Sequence, residues 1–159
     1  MLWRTHFLAG AAAGLLLAGQ TDIKTVAVSA GIAGVAALLP DLDDPKSKLG
    51  KLAAPASWVV KATVGHRGPL HSFLGVVAAT LVATILNHGS IAFASTVAVG
   101  YLSHLVMDSL NPQGVPWLWP CKKRFGLPLV QTGSLLERLV VMPGMVMLIV
   151  WPVLTRSWS

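Results

Sequence analysis

His104 and Asp108 stand four residues apart at the end of an apolar run. On a helix, positions i and i+4 share one face. An imidazole and a carboxylate are therefore presented together, as ligands of one metal or of neighbouring metals would be. The same spacing also serves a plain structural hydrogen bond, but the apolar setting and the other ligand types along the chain favour the metal reading. Pro40-Asp41-Leu42-Asp43-Asp44 is a second group. Asp41 reads as a ligand or as a bridge between two metals. Asp43 reads as a further ligand or as a carboxylate that orients a histidine, and Asp44 as part of a solvated helix stop. The third group is HRGPLHS at 66–72. Pro69 suits the first position of a helix, which puts His66 on the incoming loop and His71 in the first turn. Two histidines around Arg67 at a positive helix end suit a phosphate ester, and Arg67 can hold phosphate oxygens through two parallel bonds.

His6 carries little weight alone, since a single histidine near a membrane edge is usually interfacial. Glu137 has a structural competitor, because Ser134-x-x-Glu137 is a capping box for a following helix. Imidazole mixed with carboxylate suits zinc first and manganese second, rather than magnesium. The donors outnumber what one tetrahedral ion takes. That points to two divalent ions, with activated water attacking an ester or phosphoryl centre. Cys121 has no cysteine partner and reads as an incidental thiol.

The elements that must position these groups are apolar helices. Charged residues make up 11% of the 159-residue chain and hydrophobic residues 54%. A soluble domain carries about 25% charged residues, so too few are present to coat a water-facing surface. The mean hydropathy of +0.68 agrees. Apolar stretches occupy 7–19, 25–39, 70–86, 91–107 and 139–154. Rich in Ala, Gly and Ser, they suit close packing of membrane helices. Arg4 before the first stretch has the outline of a signal peptide. Four further stretches make a first membrane helix the better reading. The expectation is one all-α domain over 1–159: an integral membrane bundle of about five transmembrane helices. Segments 20–24 and 87–90 are tight turns, and 40–69 and 108–138 are long loops on one side. Segment 51–61 reads as a short amphipathic piece along the interface. Trp117 and Trp119 fit an interfacial aromatic belt.

With five crossings, ten of the twelve Lys and Arg residues fall on the amino-terminal side. The positive-inside rule makes that side cytoplasmic and the chain a multi-pass protein of the inner membrane. Lys122-Lys123-Arg124 then reads as anchoring near anionic lipid, and nucleic acid is excluded as a partner. On the same map four of five histidines and five of six acids reach that face. His88 and Asp22 do not. Positive-inside bias does not explain histidines or acids, and ionisable groups at membrane depth are usually functional.

PDLDD at 40–44, HRGPLHS at 66–72 and GYLSHLVMDSLNPQGVPWLWP at 100–120 resemble the YdjM-like family of membrane-bound metal-dependent hydrolases. THFLAGAAAG, which contains His6, and TGSLLE at 132–137 fit the same pattern. The resemblance implies a helical membrane protein with a hydrolase-type metal site. Its metal motifs are in turn similar to those of zinc-dependent phospholipase C, through Asp41, His66 and the His104–Asp108 pair. The amino-terminal Trp ligand and second His-x-x-x-Glu pair of those soluble enzymes have no counterpart here.

The expected function is hydrolysis of a phosphate ester or phosphodiester in a lipid-type substrate at the cytoplasmic face. His6, Asp41, His66, His104 and Asp108 are the expected metal ligands. His71, Arg67 and Asp43 are the expected catalytic groups. A proton-coupled carrier or a non-catalytic scaffold are the alternatives that the same cluster allows.

Overall fold

The computed structural model describes residues 1–19, 21–44, 47, 50–51, 68–121 and 123–155. These residues form helices α1 (Trp3–Ala18), α2 (Ile23–Ala36), α3 (Phe73–Leu86), α4 (Ile91–Ser109) and α5 (Met142–Thr155). A 3-10 turn follows α2 at Leu39–Asp43, another precedes α3 at Pro69–His71, and a π-turn at Glu137–Val141 leads into α5. Among the described residues, three helical spans are long and apolar enough to cross a membrane: Ile23–Leu42, Ile91–Ser109 and Glu137–Thr155.

The helix boundaries are informative at two places. α1 starts at Trp3, running on past the apolar stretch 7–19 so that Arg4 and His6 lie at its start. Pro69 opens a 3-10 turn instead of α3. The stronger start signal is Ser72, whose hydroxyl accepts from the Leu74 N–H at 3.2 Å. An oxygen that satisfies an orphan N–H defines a helix start better than a proline that merely tolerates one. His71 therefore sits just before the helix, not in its first turn.

α4 is the hub. It packs against α1, α2 and α3, while α5 leans on α1. Small residues allow this. A Cβ placed on Gly10 of α1 would lie 2.5 Å from the Ala33 carbonyl oxygen of α2, and one on Gly100 of α4 would overlap the same carbonyl. Gly14 approaches Ser29 in the same way. Three helices thus cross at Ala33, which is fully buried. Between helices in lipid, apolar burial contributes little and van der Waals contact carries the association, so close approach is the main stabilising device.

The 110–134 segment folds back over the end of α4. Leu127 N–H donates to Ser109 O at 2.7 Å and Val130 N–H to Leu110 O at 3.0 Å. Val115 and Phe125 exchange two backbone bonds of 2.9 Å each. This layer gives Trp117 a structural part as well. Its indole N–H donates to Ser109 Oγ at 2.8 Å and its ring packs on Phe73 at 4.9 Å, so it braces the junction of α3 and α4. Trp119 is exposed, as an interfacial tryptophan would be. Residues 52–61 of the expected amphipathic segment lie outside the described residues.

Candidate metal centre

The Ala33 crossing sets the register of the site. Ala37 lies four residues beyond Ala33, His104 four beyond Gly100, and His6 four before Gly10. One helical turn from the crossing, three helical segments therefore deliver a carbonyl and two imidazoles to the same level. His6, His71 and His104 are each about 1% exposed or less, and Asp108 is 2% exposed.

His104 Nδ1 lies 2.7 Å from the Ala37 carbonyl oxygen. A carbonyl only accepts, so Nδ1 must carry the hydrogen. The neutral ring then presents the Nε2 lone pair, which is buried and has no hydrogen-bond partner. Nε2 lies 3.7 Å from Asp108 Oδ2 and 3.9 Å from Asp41 Oδ1. These distances are beyond hydrogen-bonding range even for an imidazolium. A lone pair facing two carboxylates is an unfavourable arrangement unless a cation stands between them. That is the fit test for a metal, and the residues meet it.

The remaining donors surround this point. The His6 ring stacks on His104 with centroids 3.8 Å apart and planes 17° apart. Its Nε2 is 3.2 Å from Asp108 Oδ1, and its Nδ1 is buried without a hydrogen-bond partner. The His71 ring meets His104 edge-on at 5.2 Å. Ligand atoms of His6, His104 and Asp108 lie within 4.8 Å of one another, as do those of Asp41, His71 and His104. His104 belongs to both sets. The Met1 amino group, also buried, sits 2.6 Å from Asp108 Oδ1. Asp108 thus already draws positive charge toward itself.

Positioning groups surround the cluster. The Glu137 carboxylate is fully buried. Its Oε1 accepts from the Leu2 N–H at 2.6 Å and from the Thr5 hydroxyl at 2.8 Å. Its Oε2 accepts from the Gly133 N–H at 2.6 Å. Half of the expected capping box is present: the Glu137 N–H donates to Ser134 Oγ at 3.2 Å, but its carboxylate takes the Gly133 N–H while the Ser134 N–H donates to Gln131 O. The side chain does more than cap. It clamps the start of α1, and therefore His6, to the start of the last helical span. With three donors on it, Glu137 has the environment of a clamp rather than of a ligand. Tyr101 plays a parallel part, donating its hydroxyl to Leu70 O at 2.6 Å and so holding the turn that carries His71.

The far end of the bundle behaves differently. Asp22 caps α2, and the Thr25 hydroxyl and amide beside it hold its carboxyl below the usual range. His88 lies in the turn between α3 and α4 at φ +50°. Neither joins the cluster.

The YdjM inner membrane protein family model matches residues 1–158, which includes every residue of the cluster. The chain belongs to that family. Among relatives, Inner membrane protein YdjM of Escherichia coli (strain K12) is 44% identical over 124 residues. That match covers 73% of this chain and 60% of the relative. The Shigella flexneri protein of the same name matches equally. The chain thus spans about 60% of the length of these two relatives. Uncharacterized protein YvsG of Bacillus subtilis (strain 168) is 32% identical over 143 residues, covering 89% of this chain and 88% of the relative. No solved structure matches. Family and apolar helices together make this a membrane protein.

Of the expected site residues, the fold brings together His6, Asp41, His71, His104 and Asp108. His66, Arg67 and the Asp43 side chain lie outside the described residues. Sequence reasoning missed Ala37, which acts through its backbone and has no residue-type signal. It also missed Thr5 and Tyr101. Tyr101, the single tyrosine of the chain, lies three residues before His104 in an apolar helix, and that placement was the available clue.

Proposed function

We propose that this family member is a metal-dependent hydrolase of the inner membrane, cleaving a phosphate ester or phosphodiester in a lipid-type substrate. In this reading five helices cross the bilayer, with the amino terminus and the cluster on the cytoplasmic side. The ten-to-two split of Lys and Arg supports the orientation. α1 and α3, with 16 and 14 residues, run about 24 and 21 Å. The hydrocarbon core is about 30 Å thick, so their polar ends and the adjoining 3-10 turn complete the crossing.

The observation that carries the proposal is the buried lone pair of His104 Nε2 aimed between Asp41 and Asp108. When bound, a divalent ion supplies Lewis-acid polarisation and a water of lowered pKa. Imidazole and carboxylate donors suit zinc, with manganese second. His104, Asp108, His6 and Asp41 would hold the ion. The Ala37 carbonyl, through Nδ1–H, keeps the His104 ring oriented. Because that bond occupies Nδ1, His104 serves one ion, and a second would draw on His66 and Asp43. His71, buried and edge-on to His104, would give a proton to the leaving oxygen. Arg67 would bind the phosphoryl oxygens. Arg4 and Arg138, which flank a cavity of about 430 Å³ at the same end, support an anionic headgroup.

A screen of phospholipids with added zinc or manganese tests this reading. Wild type should release a phosphate-bearing product and His104→Ala should not. Metal-loaded wild type that cleaves no lipid phosphate ester would overturn it. Carriers place their sites near the bilayer midplane, whereas this cluster gathers at helix ends, which disfavours a transport role.

A further inference from the structure

α2 and α3 both lean on α4 and make no extensive contact with each other. Two adjoining apolar grooves result. One, of about 400 Å³, runs between α3 and α4; the other, of about 360 Å³, runs between α2 and α4. They share Leu39, Phe93 and Val97. Small side chains make the room, notably Gly75, Ala79 and Ala83 on α3.

We infer that the larger groove is the seat of one hydrocarbon chain of a lipid phosphate ester, entering sideways from the bilayer with its headgroup at the His/Asp cluster. The choice of occupant rests on the hydrolase reading above. Three observations on the groove itself support it. First, it is continuous with the candidate site. Leu42 and Leu70 line its upper end, and they adjoin Asp41 and His71 in the chain. Tyr101, also in its wall, lies one turn from His104. Second, its wall is apolar even where a hydroxyl is present, because Tyr101 turns its hydroxyl into the 3-10 turn toward Leu70 O. Third, its length fits. From Gly75 to Leu86 the α3 wall rises about 16 Å, nearly the whole of α3, so an extended chain meets a continuous apolar wall from the end that carries the cluster. Val82 and Leu86 on its wall are 54% and 74% exposed, so a chain can slip in laterally.

Photo-crosslinking of the full chain in nanodiscs, using a phospholipid with a diazirine on one acyl chain, tests the seat directly. Label should concentrate on Phe93, Val97 and Tyr101 relative to Ile85, which is 76% exposed and points away from the groove. Ala78→Trp and Ala79→Trp should reduce that labelling to the level at Ile85, while Leu81→Trp, outside the groove, should leave it unchanged. Zinc and manganese content is measured on each sample. Uniform labelling around the bundle, or groove labelling that survives both fillings, overturns the seat. Groove labelling with neither zinc nor manganese bound to metal-exposed wild type retains the lipid seat and rejects the hydrolase reading instead. Ala78 is exposed, so its replacement keeps the test informative if Ala79→Trp fails to fold.

Discussion

His104 and Ala37 are joined by a 2.7 Å bond from an imidazole nitrogen to a backbone carbonyl, buried where α4 meets the end of α2. The bond decides the chemistry of the other nitrogen. It fixes the hydrogen on Nδ1, exposes the Nε2 lone pair to Asp41 and Asp108, and holds the ring against rotation. No side chain could be substituted at Ala37 to test it cleanly, since the acceptor is the main chain. Its consequences are tested through the neighbours.

Glu137 is predicted to act on the site from outside it. Glu137→Ala leaves the Leu2 and Gly133 N–H groups and the Thr5 hydroxyl without their acceptor. Stranding the buried Thr5 hydroxyl costs about 1–3 kcal/mol, and the two part-buried N–H groups add less. Glu137→Gln should recover only part of this, because its amide NH₂ would face donors. Thermal unfolding in detergent should show a clear loss for both variants. Zinc binding should weaken but persist, since His6 is displaced while His104, Asp108 and Asp41 remain. A complete loss of zinc at unchanged stability would instead make Glu137 a ligand.

Two glycines in similar helical settings should respond in opposite directions. Gly100→Ala forces a Cβ into the Ala33 carbonyl, a main-chain neighbour that cannot turn away. Overpacking of that kind costs about 1–3 kcal/mol. At Gly31 of α2 a Cβ meets nothing within 4 Å, and Ala is about 0.5–1 kcal/mol better than Gly inside a helix. Unfolding temperatures should fall for Gly100→Ala and hold or rise for Gly31→Ala. Because Gly100 lies one turn from His104, Gly100→Ala should also weaken metal binding, and Gly31→Ala should not.

Asp22 gives a pH-dependent term unrelated to the site. Its folded carboxyl is held below its ordinary value by the Thr25 hydroxyl and amide. A depressed folded pKa contributes stability that is present above the unfolded value, about 3.9, and is lost as pH falls through the folded one. The stability difference between wild type and Asp22→Ala should therefore be constant near neutral pH and shrink below about pH 4. Asp22→Asn keeps a capping oxygen and should show a flatter acid profile than wild type. An unchanged difference between wild type and Asp22→Ala down to strongly acid pH would contradict the charge-assisted cap.

Much of the site was legible because topology is countable. Placing His6, Asp41, His71, His104 and Asp108 at one end needed only the apolar runs and their alternation across the bilayer. The same count excluded Asp22 and His88. The start of α3 was misread because Pro69 and Ser72 compete, and the residue that supplies a hydrogen bond prevailed over the one that lacks a donor. Glu137 was legible as a cap from Ser134, but its hold on Leu2 and Thr5 spans more than 130 residues of sequence. Long-range pairing to a backbone N–H leaves no periodic trace. The Ala37 carbonyl was illegible for the same reason. Gly10, Gly14 and Gly100 signalled close packing in general, though not that all three converge on Ala33.

The central claim is that His104, Asp108 and their neighbours hold a divalent ion. The most direct measurement is elemental analysis of the purified full chain, after exposure to zinc and removal of excess, for wild type and for His104→Ala and Asp108→Ala. The account predicts bound zinc in stoichiometric amount in wild type and its loss in both variants, with the fold retained by circular dichroism. Wild type that binds no zinc or manganese, or variants that bind as much as wild type, would contradict it.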